Sequence, residues 1–439
     1  MTLLLPGTSF RSAEEALLPF RPDVDGPFGA REAAHLVRRA AFGAPVAERA
    51  RLAALGPVGA VDELLAEQPP SDEYAALLAA LAPLSSVDDL VTCQSLWLAR
   101  MLHDPRPFRE ALALFWHGHF ATSVSKVGRE RLLVRQVDTL RRLGAGPLEP
   151  LVLAVARDPA MIVWLDGNDN RRHHPNENFA RELMELFTLG RGHYGERDVL
   201  EAARAFTGWQ ERDGVFRDVP GEHDDGDKEV LGVRGPLAGE DVVRTCLAQP
   251  ACAVHVAGRL VRHFVRPDPE PELLEVLAVR YRDSGLDTLA LLRLLFTSRA
   301  FYEPRAQRAL IAAPVAHAVG AARALGLRPD CKVLADRIAG LGQSLYAPPS
   351  VKGWDGGRAW INPATLIGRV NLGALYGELA AQHADEVAAA AGGRDAQALL
   401  GALLDGEAPD AARARLAELS GDLAGQIQTL LALPEAQLA

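Results

Sequence analysis

Apolar residues recur at helical spacing along almost the whole chain, and this constrains the fold more than any other feature. The pattern is clearest in five segments: 30–41, 86–103, 128–143, 251–265 and 286–297. One face of a helix recurs every three to four residues, whereas the alternation typical of half-buried strands is nearly absent here. The run at 213–219 is the best strand candidate, and it predicts a small hairpin with the residues after it. The sequence therefore predicts an all-α fold, a multi-helix orthogonal bundle with long polar loops and at most a small β-hairpin.

The 439 residues allow either several domains or one extended helical domain. We expect an N-terminal extension at 1–27, a helical core domain at 28–375, and C-terminal amphipathic helices at 376–439 that pack on the core. Long polar loops at 166–176, 219–239 and 346–363 interrupt the helices. Long loops inside a compact domain often carry function.

Composition excludes several classes of partner. Lys and Arg number 47 and Asp and Glu number 57, which gives a net charge of −10. A chain of this charge has no overall positive field that would attract nucleic acid. No stretch approaches the roughly 18 apolar residues needed to span a bilayer. The first twenty residues lack the basic leader and long apolar run of a secretory signal, which predicts a cytoplasmic protein. No Cys-x-x-Cys pair occurs, which argues against a thiolate zinc site.

The segment Asn176–Gly190 predicts a helix with one acidic face. At 100° per residue, Glu177, Arg181, Glu182 and Glu185 fall within about a 140° arc opposite an apolar side. Glu182 and Glu185 are three residues apart and would repel each other, so a nearby cation must compensate. A solvated face and a buried functional site both fit this helix taken alone.

Two other segments carry candidate metal ligands. In FWHGHF, His117 and His119 point the same way if the segment is extended, which suits a metal ion. In a continuous helix they lie about 200° apart, and each would instead bond to nearby backbone. In the loop at 221–232, His223 and Asp224 are borderline and hard ligands, although solvated turn chemistry explains them equally simply.

A second helix is predicted at about 195–208, carrying Glu201 and Arg204 on one stripe and ending at Trp209. Pairing of this helix with the acidic one would give a buried polar network. The Pro- and Gly-rich loop at 347–362 brings Lys352 and Trp354 together, a cation and an aromatic ring suited to cover a ligand. Packing of the Trp side chains into the core is the structural alternative.

These segments resemble a large bacterial family known as domain of unknown function 1800. The matching pieces, in the family's order, are 33–44, 115–123, 176–190, 194–209, 223–232, 348–357 and the terminal LALPEAQLA. The resemblance implies that the family motifs fall on the polar residues described above. The acidic face would then turn inward, toward Arg204, His223 and the two histidines of FWHGHF. Members are often exported and often encoded beside a sulfatase-like uncharacterised family, which suggests a partner protein, although the start of this chain departs from that habit.

The leading hypothesis is a metal-dependent enzyme, oxidative or hydrolytic. Its iron, manganese or zinc ion would be held by residues drawn from His117, His119, Glu182, Glu185, His223 and Asp224. Glu177 or Glu201 would act as general acid or base, and Arg181 or Arg204 would bind an anion. Substrate, whether a small molecule, peptide or glycan, would contact Lys352, Trp354, Trp209 and Asn176. The alternative is a non-catalytic helical scaffold that binds a partner protein or a glycan.

Three geometric expectations follow from these hypotheses. Glu182 and Glu185 should be mostly buried and paired with arginine or metal. Lys352 and Trp354 should lie at the rim of the same pocket as Glu182. His117, His119 and His223 should approach one another closely enough to bind one divalent ion.

Overall fold

Helices form most of the protein, as the apolar spacing predicts. A computed structural model describes residues 10–439, in which 26 α-helices accompany two small antiparallel sheets. The all-α class is therefore confirmed. Residues 1–9, which open the predicted N-terminal extension and bear on the absence of a secretory signal, lie outside the described residues.

The helices of the first part of the chain are α1 (Ala13–Ala16), α2 (Pro22–Asp25), α3 (Ala30–Ala40), α4 (Val46–Ala54), α5 (Gly56–Leu65), α6 (Asp72–Leu81), α7 (Leu90–His103), α8 (Phe108–His119), α9 (Val124–Val127), α10 (Glu130–Leu143), α11 (Leu148–Ala156), α12 (Pro159–Trp164), α13 (Asn178–Glu182) and α14 (Glu196–Ala205). A π-helical turn, Leu183–Thr188, continues α13. Short 3₁₀ turns occupy Ala82–Ser86 and Gly167–Asp169.

The remaining helices are α15 (Gly239–Ala248), α16 (Pro250–Phe264), α17 (Pro271–Asp283), α18 (Thr288–Thr297), α19 (Arg299–Tyr302), α20 (Pro314–Ala324), α21 (Cys331–Gly340), α22 (Pro363–Gln382), α23 (Ala384–Ala391), α24 (Ala396–Leu404), α25 (Asp410–Glu418) and α26 (Leu423–Ala432). Further 3₁₀ turns lie at Pro220–Glu222, Gly357–Trp360 and Pro434–Gln437. The five segments with the clearest periodicity correspond to α3, α7, α10, α16 and α18.

Helix starts follow ordinary capping chemistry. The Asp158 carboxylate accepts hydrogen bonds from the amides of Ala160 and Met161, and Pro159 occupies the first position of α12. Asn362 and Pro363 start α22 in the same way. Proline at this position loses no hydrogen bond, because the first amides of a helix have no partner inside it.

The sheets differ in detail from the predicted hairpin. Strands β1 (Trp209–Arg212) and β2 (Val215–Asp218) pair antiparallel, so the partner of the strand-like run precedes it instead of following it. Asp213 and Gly214 turn the hairpin with positive φ angles, which the Asp-Gly pair adopts readily. A second hairpin, β3 (Lys228–Val230) with β4 (Val233–Gly235), lies in the loop that the sequence predicts to be irregular.

Packing brings distant parts of the chain together. α8 lies against α10, α7 against α21, and α13 against α14. The long α22 packs along α26, and the boundary placed after residue 375 falls inside α22. In the described part of the predicted extension, α1 packs on α17, and the Phe20 amide donates to the Thr297 carbonyl.

Two expectations from composition concern cysteines and membranes. All four cysteines are free thiols, and three of them are buried. Within residues 10–439, no helix has the length and apolar character that crossing a bilayer requires.

Candidate functional site

The acidic helix contains a widened turn. The amide of Leu189 donates to the carbonyl of Met184, five residues back, so α13 passes into a π-helical turn. One side of this helix is buried through Leu183, Met184 and Phe187. Such turns are rare and occur frequently at functional sites. The turn places Glu182 at its start and Glu185 within it.

Glu185 is mostly buried and paired, as the sequence predicts. Its carboxylate accepts hydrogen bonds from Arg191 Nε at 2.7 Å and from the Tyr194 hydroxyl at 3.0 Å. The side chain is 17% exposed. The hydrogen bond from Arg191, aided by that from Tyr194, holds the pKa of Glu185 below its usual range against the opposing effect of burial.

Glu182 differs from the prediction, because it is partly buried but unpaired. Within residues 10–439 it receives no hydrogen bond and joins no ion pair. Burial and then repulsion from Glu185 raise the pKa of Glu182 above its ordinary value, against attraction to Arg181, Lys352 and Arg191. Two neighbouring carboxyls therefore have pKa values displaced in opposite directions.

The other charged residues of this helix face solvent. Arg181 donates to Glu177 at 2.9 Å and to Glu196 at 2.6 Å, and the Glu196 side chain is 78% exposed. Exposed pairs of this kind contribute little free energy to folding. The acidic helix thus turns Glu185 inward and leaves Glu177 and Arg181 at the surface.

The loop at 346–363 reaches the same region. The positive charge of Lys352 acts on both Glu182 and Glu185, which places it on their side of the molecule. Gly353 is buried with φ of +79°, and a Cβ there would overlap the carbonyl oxygen of Gly118. Trp354 lies against His117, with ring centroids 5.6 Å apart. The loop therefore joins the end of α8 to the acidic helix.

His117 is enclosed by aromatic rings. Its centroid lies 5.5 Å from that of Trp97 and 5.8 Å from that of Tyr346. Both ring nitrogens are buried without a hydrogen-bond partner among the described residues. Burial lowers the pKa of His117 to about 3, so the ring is neutral.

His119 and His255 cap the acidic helix. His119 Nε2 lies 3.1 Å from the carbonyl of Phe187, and His255 Nε2 lies 2.9 Å from that of Leu186. Carbonyls at the end of a helix have no partner inside it, and a neutral imidazole can donate to them. Burial keeps the pKa of His119 well below its ordinary value, consistent with a neutral donor. This is the backbone-bonding alternative that the sequence left open.

Arg204 and Asp224 form a separate network. Arg204 donates to Asp224 at 2.8 and 3.2 Å and to Glu201 at 2.7 Å. The Arg204 hydrogen bond lowers the pKa of Asp224 to about 2. His223 Nδ1 lies 2.9 Å from the carbonyl of Thr207. The sequence predicts that the acidic face of α13 turns toward Arg204. This prediction is wrong, because Arg204 instead pairs with Glu201 of its own helix and with Asp224 of the loop.

The predicted convergence of three histidines is not found. α8 runs without a break through Gly118, so His117 and His119 leave it in different directions. Of the two arrangements that the sequence left open for this segment, the structure has the continuous helix and not the extended one. In the described part of the chain, no group of three or more His, Cys, Asp or Glu side chains is placed to hold a metal ion. The binding of iron, manganese or zinc itself stays a prediction.

Asn176 and Trp209, predicted to contact substrate, line one small cavity. Its empty volume, including its open mouth, is about 330 Å³, and its walls include Asn170, Phe179 and Phe206. The Asn170 side chain accepts from the amide of Asn176 at 2.9 Å and donates to the carbonyl of Ala203. Asn176 also accepts from the amide of Asn178, the first residue of α13. Asn170 and Asn176 thus help to fix the start of the acidic helix.

Sequence reasoning missed three residues of this site. Arg191 and Tyr194 hold Glu185, and their position in the short loop after the helix was a usable signal. His255 lies far along the chain on an ordinary amphipathic helix, and nothing in its neighbourhood indicates that it caps Leu186.

Comparison with known proteins identifies the family and nothing finer. No curated protein and no solved structure matches the chain. The model of one family, described as "Protein of unknown function (DUF1800)", matches residues 35–438. That span includes the acidic helix, both capping histidines and the loop of Lys352. The chain therefore belongs to the DUF1800 family of proteins of unknown function.

Proposed function

We propose that this protein is a hydrolase that cleaves a glycosidic bond with Glu182 as general acid and Glu185 as the ionised partner. The observation that carries the proposal is that two neighbouring carboxyl groups have pKa values displaced in opposite directions. Glu182 is unpaired with a raised pKa, whereas Arg191 and Tyr194 hold Glu185 in its charged form. Two carboxyl groups whose pKa values are displaced in opposite directions can divide the acid and base roles of catalysis between them.

The chemistry needs two carboxyl groups and a water molecule. Glu182 would protonate the departing glycosidic oxygen while the Glu185 carboxylate attacks the anomeric carbon and forms a glycosyl ester. Water would then cleave that ester, giving a proton back to Glu182 and freeing Glu185. Residues three apart on a helix have Cβ atoms about 5–6 Å apart, which suits the close carboxyl spacing of this two-step route.

The neighbouring loop supports a sugar as ligand. Trp354 is partly exposed beside the end of α8, and aromatic rings pack against the apolar faces of sugar rings. Lys352 is exposed, and its charge acts on both carboxyls. A cation there would also stabilise negative charge on the substrate.

A trapping experiment tests the proposal. The full chain is incubated with a panel of aryl glycosides and with activated 2-deoxy-2-fluoro glycosides, which leave a slowly hydrolysed ester on the nucleophile. We expect aryl release from at least one sugar and, by mass spectrometry, a label on Glu185. Glu182→Gln should reduce kcat by about 10²-fold or more. Glu196→Gln, an exposed carboxylate nearby, is the matched control and should retain full activity.

Two results would contradict the assignment. One is a label on a residue other than Glu185. The other is turnover that Glu182→Gln and Glu196→Gln reduce equally.

The metal-assisted form of hydrolysis, and oxidation by iron, stay predictions without support from the ligand geometry. Metal analysis of protein purified without chelator tests them. A stoichiometric metal that is lost in a His117, His119 or His223 variant would favour the metal-dependent enzyme over the carboxyl pair.

A non-catalytic scaffold is the second candidate, and one observation favours it. His119 and His255 each use Nε2 to hold a backbone carbonyl of the acidic helix, and Arg204 uses its guanidinium group to hold the loop of Asp224. In a scaffold, Glu182 and Lys352 would contact a partner protein or glycan without chemistry. Binding of an oligosaccharide that is never cleaved, weakened by Lys352→Met, would support this alternative.

A further inference from the structure

A second cavity lies where the starts of α4 and α6 meet the ends of α7 and α20. None of the residues that line it belongs to the acidic helix or to the loop of Lys352. Its volume is about 590 Å³, within the range of small-molecule sites. One part of its wall is apolar and consists of Ala44, Pro45, Leu77, Leu102 and Pro105. The rest is polar, so a ligand that fills the space must match both kinds of surface.

Arg323 brings a buried positive charge to this wall. The residue is 7% exposed. Its Nε donates to the carbonyl of Gly43, and its Nη1 donates to the carbonyls of Met101, Leu102 and Asp104. Its Nη2 makes no hydrogen bond within residues 10–439, yet that atom is accessible and Arg323 lines the cavity. The backbone thus fixes the guanidinium group and leaves one donor atom for a ligand.

Two further polar atoms on the wall are accessible and unpaired. Tyr74 is 7% exposed, and its hydroxyl group makes no hydrogen bond in the described part of the chain, although it is not enclosed. The Oδ1 atom of Asp104 accepts from the Arg106 amide at 2.8 Å, whereas Oδ2 accepts from no described residue. Buried tyrosine hydroxyls usually have a partner, so this one points to a partner that enters from the cavity.

The two charges beside the cavity are close to each other but not paired. Arg323 and Asp104 each act on the pKa of the other, although their side chains form no ion pair. Burial lowers the pKa of Arg323 to about 10, and repulsion from Arg328 adds to this, against attraction to Asp104. Burial raises the pKa of Asp104, against the hydrogen bond from the Arg106 amide and attraction to Arg323. Each charge is therefore only partly compensated by its neighbours.

The other charged groups of the wall leave it balanced. Arg328 is exposed and donates to one backbone carbonyl. Glu73 is exposed and forms no hydrogen bond or ion pair within residues 10–439. Glu48 is already held by Arg51. Burial, aided by repulsion from Arg328, lowers the pKa of His103, so this ring is neutral. Two cations thus face two carboxylates, and the wall favours neither a simple anion nor a simple cation.

We infer that the cavity binds a free α-amino acid with an apolar side chain. Its carboxylate accepts hydrogen bonds from Arg323 and Tyr74, and its ammonium group donates to Asp104. Its side chain lies against the apolar part of the wall. Charge-assisted hydrogen bonds of this kind are the strong ones, and the guanidinium group suits a carboxylate. A zwitterion compensates both charges at once, whereas a neutral sugar compensates neither. The site is independent of the carboxyl pair of the proposed hydrolase.

Isothermal titration calorimetry on the full chain tests the inference with L-leucine and L-phenylalanine as probes. Each probe has two analogues that keep its side chain and lack one charge. Isocaproate and isopentylamine are those of leucine, and hydrocinnamate and phenethylamine are those of phenylalanine. We expect at least one amino acid to bind, and both of its analogues to bind about tenfold more weakly or worse, because each loses a charge-assisted hydrogen bond.

Three variants complete the test, and thermal melts show whether each is folded. Asp104→Asn keeps the acceptor for the Arg106 amide but removes the charge, so it should weaken binding by about tenfold or more. Tyr74→Phe removes only the hydroxyl group and should weaken binding several-fold, even if Asp104→Asn fails to fold. Glu67→Gln, at a side chain that is 81% exposed and outside the cavity, should bind like the unaltered protein.

Three results would overturn the inference. The first is that neither amino acid binds. The second is that an analogue with one charge binds as tightly as its amino acid. The third is that the folded Asp104→Asn or Tyr74→Phe protein binds as tightly as Glu67→Gln.

Discussion

Gly353 packs directly against the carbonyl of Gly118, and this contact joins the Trp354 loop to the end of α8. The contact requires glycine at residue 353 for two reasons. Its φ of +79° is strained for other residues, and a Cβ would overlap the Gly118 oxygen. The atoms that a Cβ at residue 353 would meet are all backbone atoms of Gly118, so no side-chain rotation can relieve the overlap. The position of Lys352 relative to Glu182 depends on this close approach.

Gly353→Ala should therefore lower the free energy of unfolding by about 2–4 kcal/mol, from backbone strain and steric overlap together. Gly357→Ala is the control in the same loop, since its φ is also positive but its Cβ would meet no atom within 4 Å. It should cost about 1 kcal/mol. Urea denaturation measures both, and equal losses would show that the contact with Gly118 is unimportant.

Glu182→Gln should stabilise the protein at pH 7, raising Tm by roughly 1–2 °C. The pKa of Glu182 is raised in the folded state, so the folded protein binds more protons than the unfolded chain above pH 4.5. The free energy of unfolding therefore falls as pH rises above 4.5 and Glu182 ionises in the folded state. Glutamine cannot ionise, so Glu182→Gln removes this loss. The benefit should vanish near pH 4.

Glu185→Gln is the matched comparison and should have the opposite sign, because the lowered pKa of Glu185 reports stabilising partners. Thermal melts at pH 4 and 7 give both values. A lower Tm for Glu182→Gln at pH 7 would mean that its carboxylate has a stabilising partner.

Asp224→Asn should lower the free energy of unfolding by about 1–3 kcal/mol at pH 7, because Arg204 loses a charged partner. The folded pKa of Asp224 is about 2, below its ordinary 3.8. Its contribution is present above pH 3.8 and is lost as pH falls toward 2. Asp225→Asn is the control, since this neighbour is 72% exposed and should change stability by less than about 0.5 kcal/mol.

Denaturant unfolding between pH 7 and 2.5 measures the difference between these two variants. The Arg204 network would be unimportant for stability if Asp224→Asn and Asp225→Asn behaved alike at pH 7.

His117→Phe should flatten part of the acid dependence of stability. The folded pKa of His117 is about 3 and the unfolded value is 6.5, so the unfolded chain binds the extra proton as pH falls. The stability that the neutral His117 ring allows is fully present above pH 6.5. The free energy of unfolding falls by about 2 kcal/mol between pH 7 and 5, because only the unfolded chain takes up the proton there. The phenyl ring has no such loss and should be accommodated among the aromatic neighbours.

His383→Gln, at a histidine with a 49% exposed side chain, should retain the original pH dependence. Unfolding free energies at pH 7 and 5 give the comparison. If His117→Phe is strongly destabilised at pH 7, the ring nitrogens of His117 have a role that the aromatic packing does not explain.

Much of the fold could be predicted because the information is local. Apolar spacing located α3, α7, α10, α16 and α18 to within a few residues, since each helix must bury one face. The alternating run at 213–219 indicated a hairpin near its true place, but the predicted partner, the residues after it, was wrong, because β1 precedes the run. The second hairpin has short strands and little alternation, so periodicity gave no sign of it.

The sequence indicated which residues belong to the site, but not which side chains and carbonyls these residues contact. The sequence by itself determined that Glu182 and Glu185 share a helix face and that Lys352 and Trp354 share a shaped loop. Tertiary structure decided that His119 caps Phe187, that Arg204 takes Asp224, and that Arg38 meets Asp405. Helical periodicity fixes the direction in which a side chain leaves its own axis. It carries no information on which carbonyl or charge from a distant segment will stand there, because that depends on how whole helices pack.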